Sequence, residues 1–497
     1  MYCKHCGAEI KDGSKFCGKC GKNVEDDARA SKIIIEKEKH SKKLIKDETE
    51  KQPKRKKKIK FLEIKIGLAV ILTGLVLFLL KYGTYSYLAV VEDENGKYGY
   101  INERGVEVIE CKYDAASIFQ KNGMAVVGNI VGEDDEGRAQ WKFGAINKKG
   151  NEVIPLQYDN AAFNFGELIP LAVEAGKDDL GDSIYNWGFF NKEGKQVVDF
   201  KYQYKYTPGY SETLGDLTVV SVKTQEKDWL GDYIYNYGVI NSEGEEVIPI
   251  SDQRIGEYNT EKLGNNGLFA VERDGKYGFI NTENQVVIPF EYEDATNFAD
   301  NEMAAVKKGE LWGYINTEGE VMIPFKYEEA ERFGENGEAF VKENGKWKCI
   351  TISDSEMFSG EWNGSYSSFD ERGLAQVTCE NDKGGLSDII LNDNGREVIP
   401  AKYNASYSRG RACYQNDSGE SENILFGRDG EVIAEGYTYA SCFGDNNMAA
   451  VGSCSWINQS EDGERKLYEI KFIDDKGRNQ LELEKEYSYV GYFAEAE

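Results

Sequence analysis

KYGFINTENQVVIPFEYEDATNFADNEMAAVKKGE, residues 276–310, runs directly into LWGYINTEGEVMIPFKYEEAERFGENGEAFVKENG, residues 311–345. The two 35-residue stretches align end to end. Gly278 falls on Gly313, Asn281 on Asn316, Pro289 on Pro324 and Tyr292 on Tyr327. Self-similarity at this period is the mark of a repeat array. Within one unit the pattern is that of strands. The apolar run Met303–Val306 leads through a turn to Trp312–Ile315. A second turn, Asn316 to Gly319, leads to Val321–Ile323, which stops at Pro324. The expected unit is a three-stranded antiparallel meander, with proline at a strand end, where no ladder donor is lost.

Working outward, the anchor glycine recurs at Gly99, Gly144, Gly188 and Gly238. Beyond Gly313 its place is taken by Lys348, Ile389, Ile424 and Lys471, which makes ten units of about 41 residues from residue 88 to the end. An aromatic stands three residues after the proline position, for example Tyr113, Tyr202, Tyr327 and, in the seventh unit, Trp362. One aromatic per unit at fixed phase reads as packing between neighbouring units, not as a ligand platform. The Asn-x-x-Gly pieces lack the full order of a calcium loop and read as turns.

The Trp-Gly pairs at 187–188 and 312–313, with Tyr or Phe replacing Trp at Tyr98, Phe143, Tyr237 and Tyr277, resemble the WG repeat family. The resemblance implies an all-β repeat array without a particular activity. Ten units exceed the usual 4–8 blades of one propeller. The expectation is therefore an open, curved stack of meanders, with propeller-like closure as the alternative.

Units two, three and four carry long insertions between their first two strands, near residues 129–140, 176–184 and 224–233. Insertions in a repeat array fall on one face. These hairpins should line up as a ridge carrying Asp178, Asp182, Tyr185, Asp228, Trp229, Asp232, Tyr233 and Tyr235. Such a ridge offers stacking rings and acceptors to a protein, peptide or glycan.

Ahead of the array the composition changes twice. The formal charge of −27 divides into +9 over residues 1–60, +1 over residues 61–81 and −37 over the remainder. Ile66–Leu80 is uncharged, and with Phe61, Leu62 and Ile64 it is long enough to be read as a transmembrane helix over 61–81. Six positive charges between Lys54 and Lys60 sit against it, so the positive-inside rule keeps residues 1–60 in the cytoplasm and puts the array outside. The same run, residues 54–60, suits anionic lipid headgroups. The acidic body argues against nucleic acid as a partner.

The chain begins with Cys3-x-x-Cys6-Gly and Phe16-Cys17-x-x-Cys20-Gly. Two such turns bring four thiolates onto one structural Zn2+. The segment resembles the short zinc ribbon at the N-terminus of many bacterial membrane proteins. Residues 1–24 are too few to bury a core without the metal. Residues 25–60 read as a charged, disordered linker.

Both histidines, His5 and His40, lie ahead of the array. Histidine-dependent catalysis is therefore excluded from the body. Cys111, Cys349, Cys379, Cys413, Cys442 and Cys454 either pair outside the cell or stay as buried thiols. These features point to an extracytoplasmic binding or scaffold protein of the bacterial cell envelope, without catalysis. The alternatives are a carbohydrate-active site of two carboxylates on the array, and a sensor that relays to a cytoplasmic partner through the zinc ribbon.

Overall fold

In a computed structural model the chain is described over residues 85–495, apart from 135–136, 179–180, 205–212, 215–216, 228–232, 252–253, 256–266, 335, 366, 371, 381–384, 400–405, 416–420, 428–429 and 461–462. The zinc-ribbon segment, the linker and the apolar run 61–81 lie outside the described residues. No helix among the described residues is long and apolar enough to cross a membrane.

Among the described residues the strands form ten antiparallel sheets, or blades. They are numbered here along the chain, so that blade 1 carries Gly99 and blade 10 carries Lys471. Blade 6 shows the plan. Its long strands Ala304–Lys308, Leu311–Ile315 and Val321–Tyr327 are those expected. A fourth, two-residue strand, Asp294–Ala295, pairs along the first of them. The unit is thus four-stranded, not three-stranded. The short strand escapes periodicity because two residues hold no pattern.

Pro324 does not end its strand, which continues to Tyr327. Trp312 pairs with Tyr327 and Tyr314 with Ile323, so the third strand bulges opposite Gly313. The proline sits in that bulge, where its missing N–H costs nothing. The bulge explains the glycine: a Cβ on Gly313 would lie 2.7 Å from the Ile323 carbonyl oxygen, and one on Gly144 2.4 Å from that of Ile154.

The array closes into a ring, so the propeller-like alternative holds and the open stack does not. Ten apolar clusters join the ten blades, each formed by two neighbours. The closing cluster joins Ala89, Val91 and Ile101 of blade 1 to Ala450, Ile470 and Phe472 of blade 10, with Tyr487, Val490 and Phe493. Among the described residues blade 1 has no short strand of its own ahead of Tyr87–Glu92. Tyr489–Val490 and Ala494–Glu495, from the far end of the chain, pair with that strand instead. Gly491 N donates to Val90 O at 2.7 Å, and Ser488 N to Glu92 O at 2.9 Å. An edge left unpaired in a stack is thereby paired in the ring.

Side chains between the blades are the expected aromatics: Tyr113, Tyr202, Tyr292 and Tyr327 are all buried. The Asn-x-x-Gly pieces are turns. Asn102 Oδ1 accepts from Arg104 N and Val106 N, and Gly105 takes φ 73°, a left-handed value that favours glycine. Cys111, Cys349, Cys379, Cys413 and Cys442 are free thiols. Burial pushes the Cys111 and Cys349 thiols up to about 12, so both stay protonated at neutral pH.

Candidate functional site

Strand order and direction repeat from sheet to sheet. Every turn between the first two long strands therefore falls on one face of the ring, the hairpin face. The Asn-x-x-Gly turns and the starts of the first long strands fall on the opposite, turn face. Hairpin length varies around the ring. Blade 5 has strands of 6 and 6 residues, and blade 6 of 5 and 5. In blade 2 they are 10 and 9 residues, in blade 3 9 and 8, and in blade 4 11 and 8. Three elongated hairpins thus stand side by side, as the insertions imply.

A fourth was missed in the sequence. Blade 10 has the longest pair, Met448–Ser460 and Gly463–Asp474, of 13 and 12 residues. The signal was the interval from Val451 to Lys471, against Val306 to Gly313 in blade 6. Without a Trp-Gly pair it went unread. This hairpin leans on blade 1: Arg465 Nη1 donates to Glu94 O at 3.4 Å, and Nη2 lies 3.8 Å from Glu92 Oε1.

The ridge residues take distinct places. Asp178 and Asp182 close the tip of the blade 3 hairpin: Asp182 N donates to Asp178 Oδ1 at 2.9 Å, and Asp178 N to Asp182 O at 2.8 Å. Tyr185 packs in part against the cluster between blades 3 and 4. Tyr233 pairs with Lys227, and Tyr235 with Lys223. The Lys223 and Lys227 ammonium groups lie 3.5 and 4.3 Å from the centre of the Tyr233 ring. The ring face is thus already engaged by the chain's own cations. Asp228, Trp229 and Asp232 lie outside the described residues. An apolar component went unforeseen: Ile130 and Val131 of blade 2 are 44% and 59% exposed. Ile130 is paired with Trp141, which stacks on Phe143 at 5.5 Å.

Some acids of the body are clips between blades. Asp159 Oδ1 accepts from Lys142 Nζ of blade 2 at 2.6 Å, and Oδ2 from Glu174 N of blade 3 at 2.8 Å. Burial raises this carboxyl, but the bonds from Lys142 and the Glu174 amide outweigh it and hold the group below the usual carboxylate range. Asp114 also bridges blades 1 and 2, accepting from Lys97 Nζ at 2.5 Å and from Ile130 N at 3.0 Å. Among the described residues no three His, Cys, Asp or Glu side chains are gathered to hold a metal.

Residues 98–129, 143–168, 187–206, 277–312 and 312–347 match the WG containing repeat family, and residues 2–24 match the zinc-ribbon domain. No curated protein matches the chain. Among solved structures it is similar to a eukaryotic initiation factor at 12% identity, over 82% of this chain and 98% of that one, with a TM-score of 0.44. It is similar also to the WD40 domain of SCAP from fission yeast at 11% identity, over 80% and 83%, with a TM-score of 0.23. The five matched repeats start in blades 1, 2, 3, 5 and 6. No matched repeat starts in blades 4 and 7–10, which build four-stranded sheets of the same order. The chain therefore carries a WG-type β-repeat array, closed as a ten-bladed ring, behind an N-terminal zinc-ribbon segment.

Proposed function

We propose that the protein is a single-pass, membrane-anchored binding protein of the bacterial cell envelope, non-catalytic, with its repeat ring outside the cell. The observation that carries this reading is the run of elongated hairpins on blades 2, 3 and 4, rising together from one face and flanked across blade 1 by that of blade 10. Tyr185, Trp229, Tyr233, Tyr235 and the tip carboxylates Asp178, Asp182, Asp228 and Asp232 are the contact residues for a glycan or peptide. The uncharged run Ile66–Leu80 and the charge step from +9 to −37 across it support the anchor.

In the zinc-ribbon segment Cys3, Cys6, Cys17 and Cys20 hold Zn2+. The donor set is four thiolates in two Cys-x-x-Cys pairs, which suits a closed structural site. The metal supplies the folding energy that so short a segment lacks.

The test is a glycan and peptidoglycan binding screen with residues 82–497. A ligand found there should be lost on Trp229→Ala with Tyr233→Ala, while thermal unfolding stays the same. Binding that survives both changes removes the ridge from the reading.

A further inference from the structure

The turn face carries an apolar rim. Val286 and Val287 of blade 5, Val321 and Met322 of blade 6, and Ile352 and Met357 of blade 7 are between 43% and 54% exposed. All six lie at or beside the turn-face start of the third strands of three consecutive blades. The place of Val286 and Val321 is taken by Glu107, Glu152 and Glu246 in blades 1, 2 and 4, by Glu356 in blade 7 and by Val432 in blade 9, so that only blades 5–7 carry such residues side by side. Exposed apolar residues on the hairpin face are spread over blades 2, 6 and 8, as Ile130, Val131, Leu311 and Leu386. Scattered residues of that kind are ordinary on a protein surface, whereas a contiguous run marks a contact.

The described chain starts on the same face. Tyr85 Oη donates to Lys148 O at 2.5 Å, in the Asn147–Gly150 turn of blade 2. Tyr85 follows Leu80, the last residue of the uncharged run, by five residues, at most about 18 Å of chain. The turns of blades 2 and 3 are mixed in charge, with Lys148, Lys149 and Lys192 beside Glu152 and Glu193. In a ring of ten, blades 5–7 lie across from blades 1 and 2. One face therefore has an anchored side and, opposite it, an apolar side.

From this we infer that the turn face lies on the lipid surface, with the rim of blades 5–7 in contact with the bilayer interface. The inference rests on the anchored reading above and adds an orientation to it: the ring lies flat, and the long hairpins point away from the membrane. Amphipathic contact of this kind uses apolar area seated at the headgroup boundary. Glu283 and Glu318 share the rim turns, so the contact is shallow and needs no anionic lipid.

The test uses the full chain in nanodiscs of phosphatidylcholine, compared by hydrogen exchange with residues 82–497 in solution. All ten blade interfaces are made within that part, so it is a fair reference. Amides of 281–287 and 316–322 should exchange about five-fold or more slowly in the nanodisc. Val287→Glu with Met322→Glu, or Met322→Glu alone, should restore the solution rate, and Leu386→Glu on the hairpin face should not. Equal rates in disc and solution overturn the inference. So does protection in solution that grows with protein concentration, which would assign the rim to a second copy. Alkaline extraction separates the two readings. Release of the full chain overturns the anchor and the inference together, whereas retention with an unprotected rim overturns the inference alone.

Discussion

Blades 6 and 7 are neighbours in the chain and in the ring, yet their third strands are built differently. Blade 6 has Gly313, a bulge carrying Pro324, and Tyr327 across from Trp312. Blade 7 has Lys348 in the glycine's place, and its third strand runs without that bulge: Trp347 pairs with Gly360, Lys348 with Ser359 and Cys349 with Phe358. A straight strand leaves room for a side chain, so the lysine fits. It reaches Glu343 Oε2 at 2.6 Å and stands 5.4 Å from the centre of the Tyr327 ring. Without the bulge the strand needs fewer residues to reach its tryptophan's partner. Trp362, expected in the strand-end aromatic position, passes instead into the short strand of blade 8 and pairs with Cys379. There it packs edge-on to Phe340 and Phe358 at 5.9 and 5.8 Å. Between these two blades the bulge goes with the glycine, although blade 9, with Ile424 in that place, still shifts register between Asn423 and Leu425.

The strongest way to break this contrast is Gly313→Val. The new side chain meets backbone at 2.7 and 3.0 Å, atoms that cannot swing away. A loss of about 3 kcal/mol is expected in urea unfolding. Lys348→Val in blade 7 should cost under about 1 kcal/mol, the worth of a partly exposed ion pair. Equal losses at the two sites would end the bulge argument.

The seam between the two blades gives the next effect. The Tyr327 hydroxyl donates to Asp354 Oδ1, and Lys326 Nζ to Asp354 Oδ2 at 2.6 Å. Tyr327→Phe should cost about 1–2 kcal/mol, seen as a lower melting temperature. Burial raises the Asp354 carboxyl, but the bonds from Lys326 and Tyr327 outweigh it and leave the group below its ordinary value. Its stabilisation is therefore present above the unfolded carboxylate range, near pH 4, and is lost as pH falls through the lower folded value. Asp354→Asn should flatten that part of the stability profile. Smallest for the ring is metal removal. A chelator should abolish the fold of residues 1–24, read by amide exchange, and leave the melting of the ring unchanged.

Much of the array was legible in residues 276–345. The alternation of apolar and polar positions marks each long strand, and the anchor position holds its register even where glycine is lost. Gly99 faces Val91, Gly313 faces Val306, Lys348 faces Val341 and Lys471 faces Val451. The elongated hairpins of blades 2–4 were legible because insertions count residues, but the two lysines against Tyr233 were not. Their meeting depends on how a long hairpin pairs with itself, which residue counts do not reveal.

The closure had a trace in the sequence as well. Tyr487 and Phe493 repeat the spacing of Tyr113 and Phe119, of Tyr327 and Phe333, and of Tyr437 and Phe443. These residues therefore form the half-unit that pairs with the first strand of blade 1. Strands, turns, the number of units and the two Cys-x-x-Cys pairs were set by local chemistry, by side-chain alternation, glycine and spacing alone. Ring against stack was decided only in three dimensions. It turns on Val90 meeting Gly491 and Val91 meeting Val490, about 400 residues apart. A strand edge can be satisfied by a partner from anywhere in the chain, so no local pattern specifies which partner it takes.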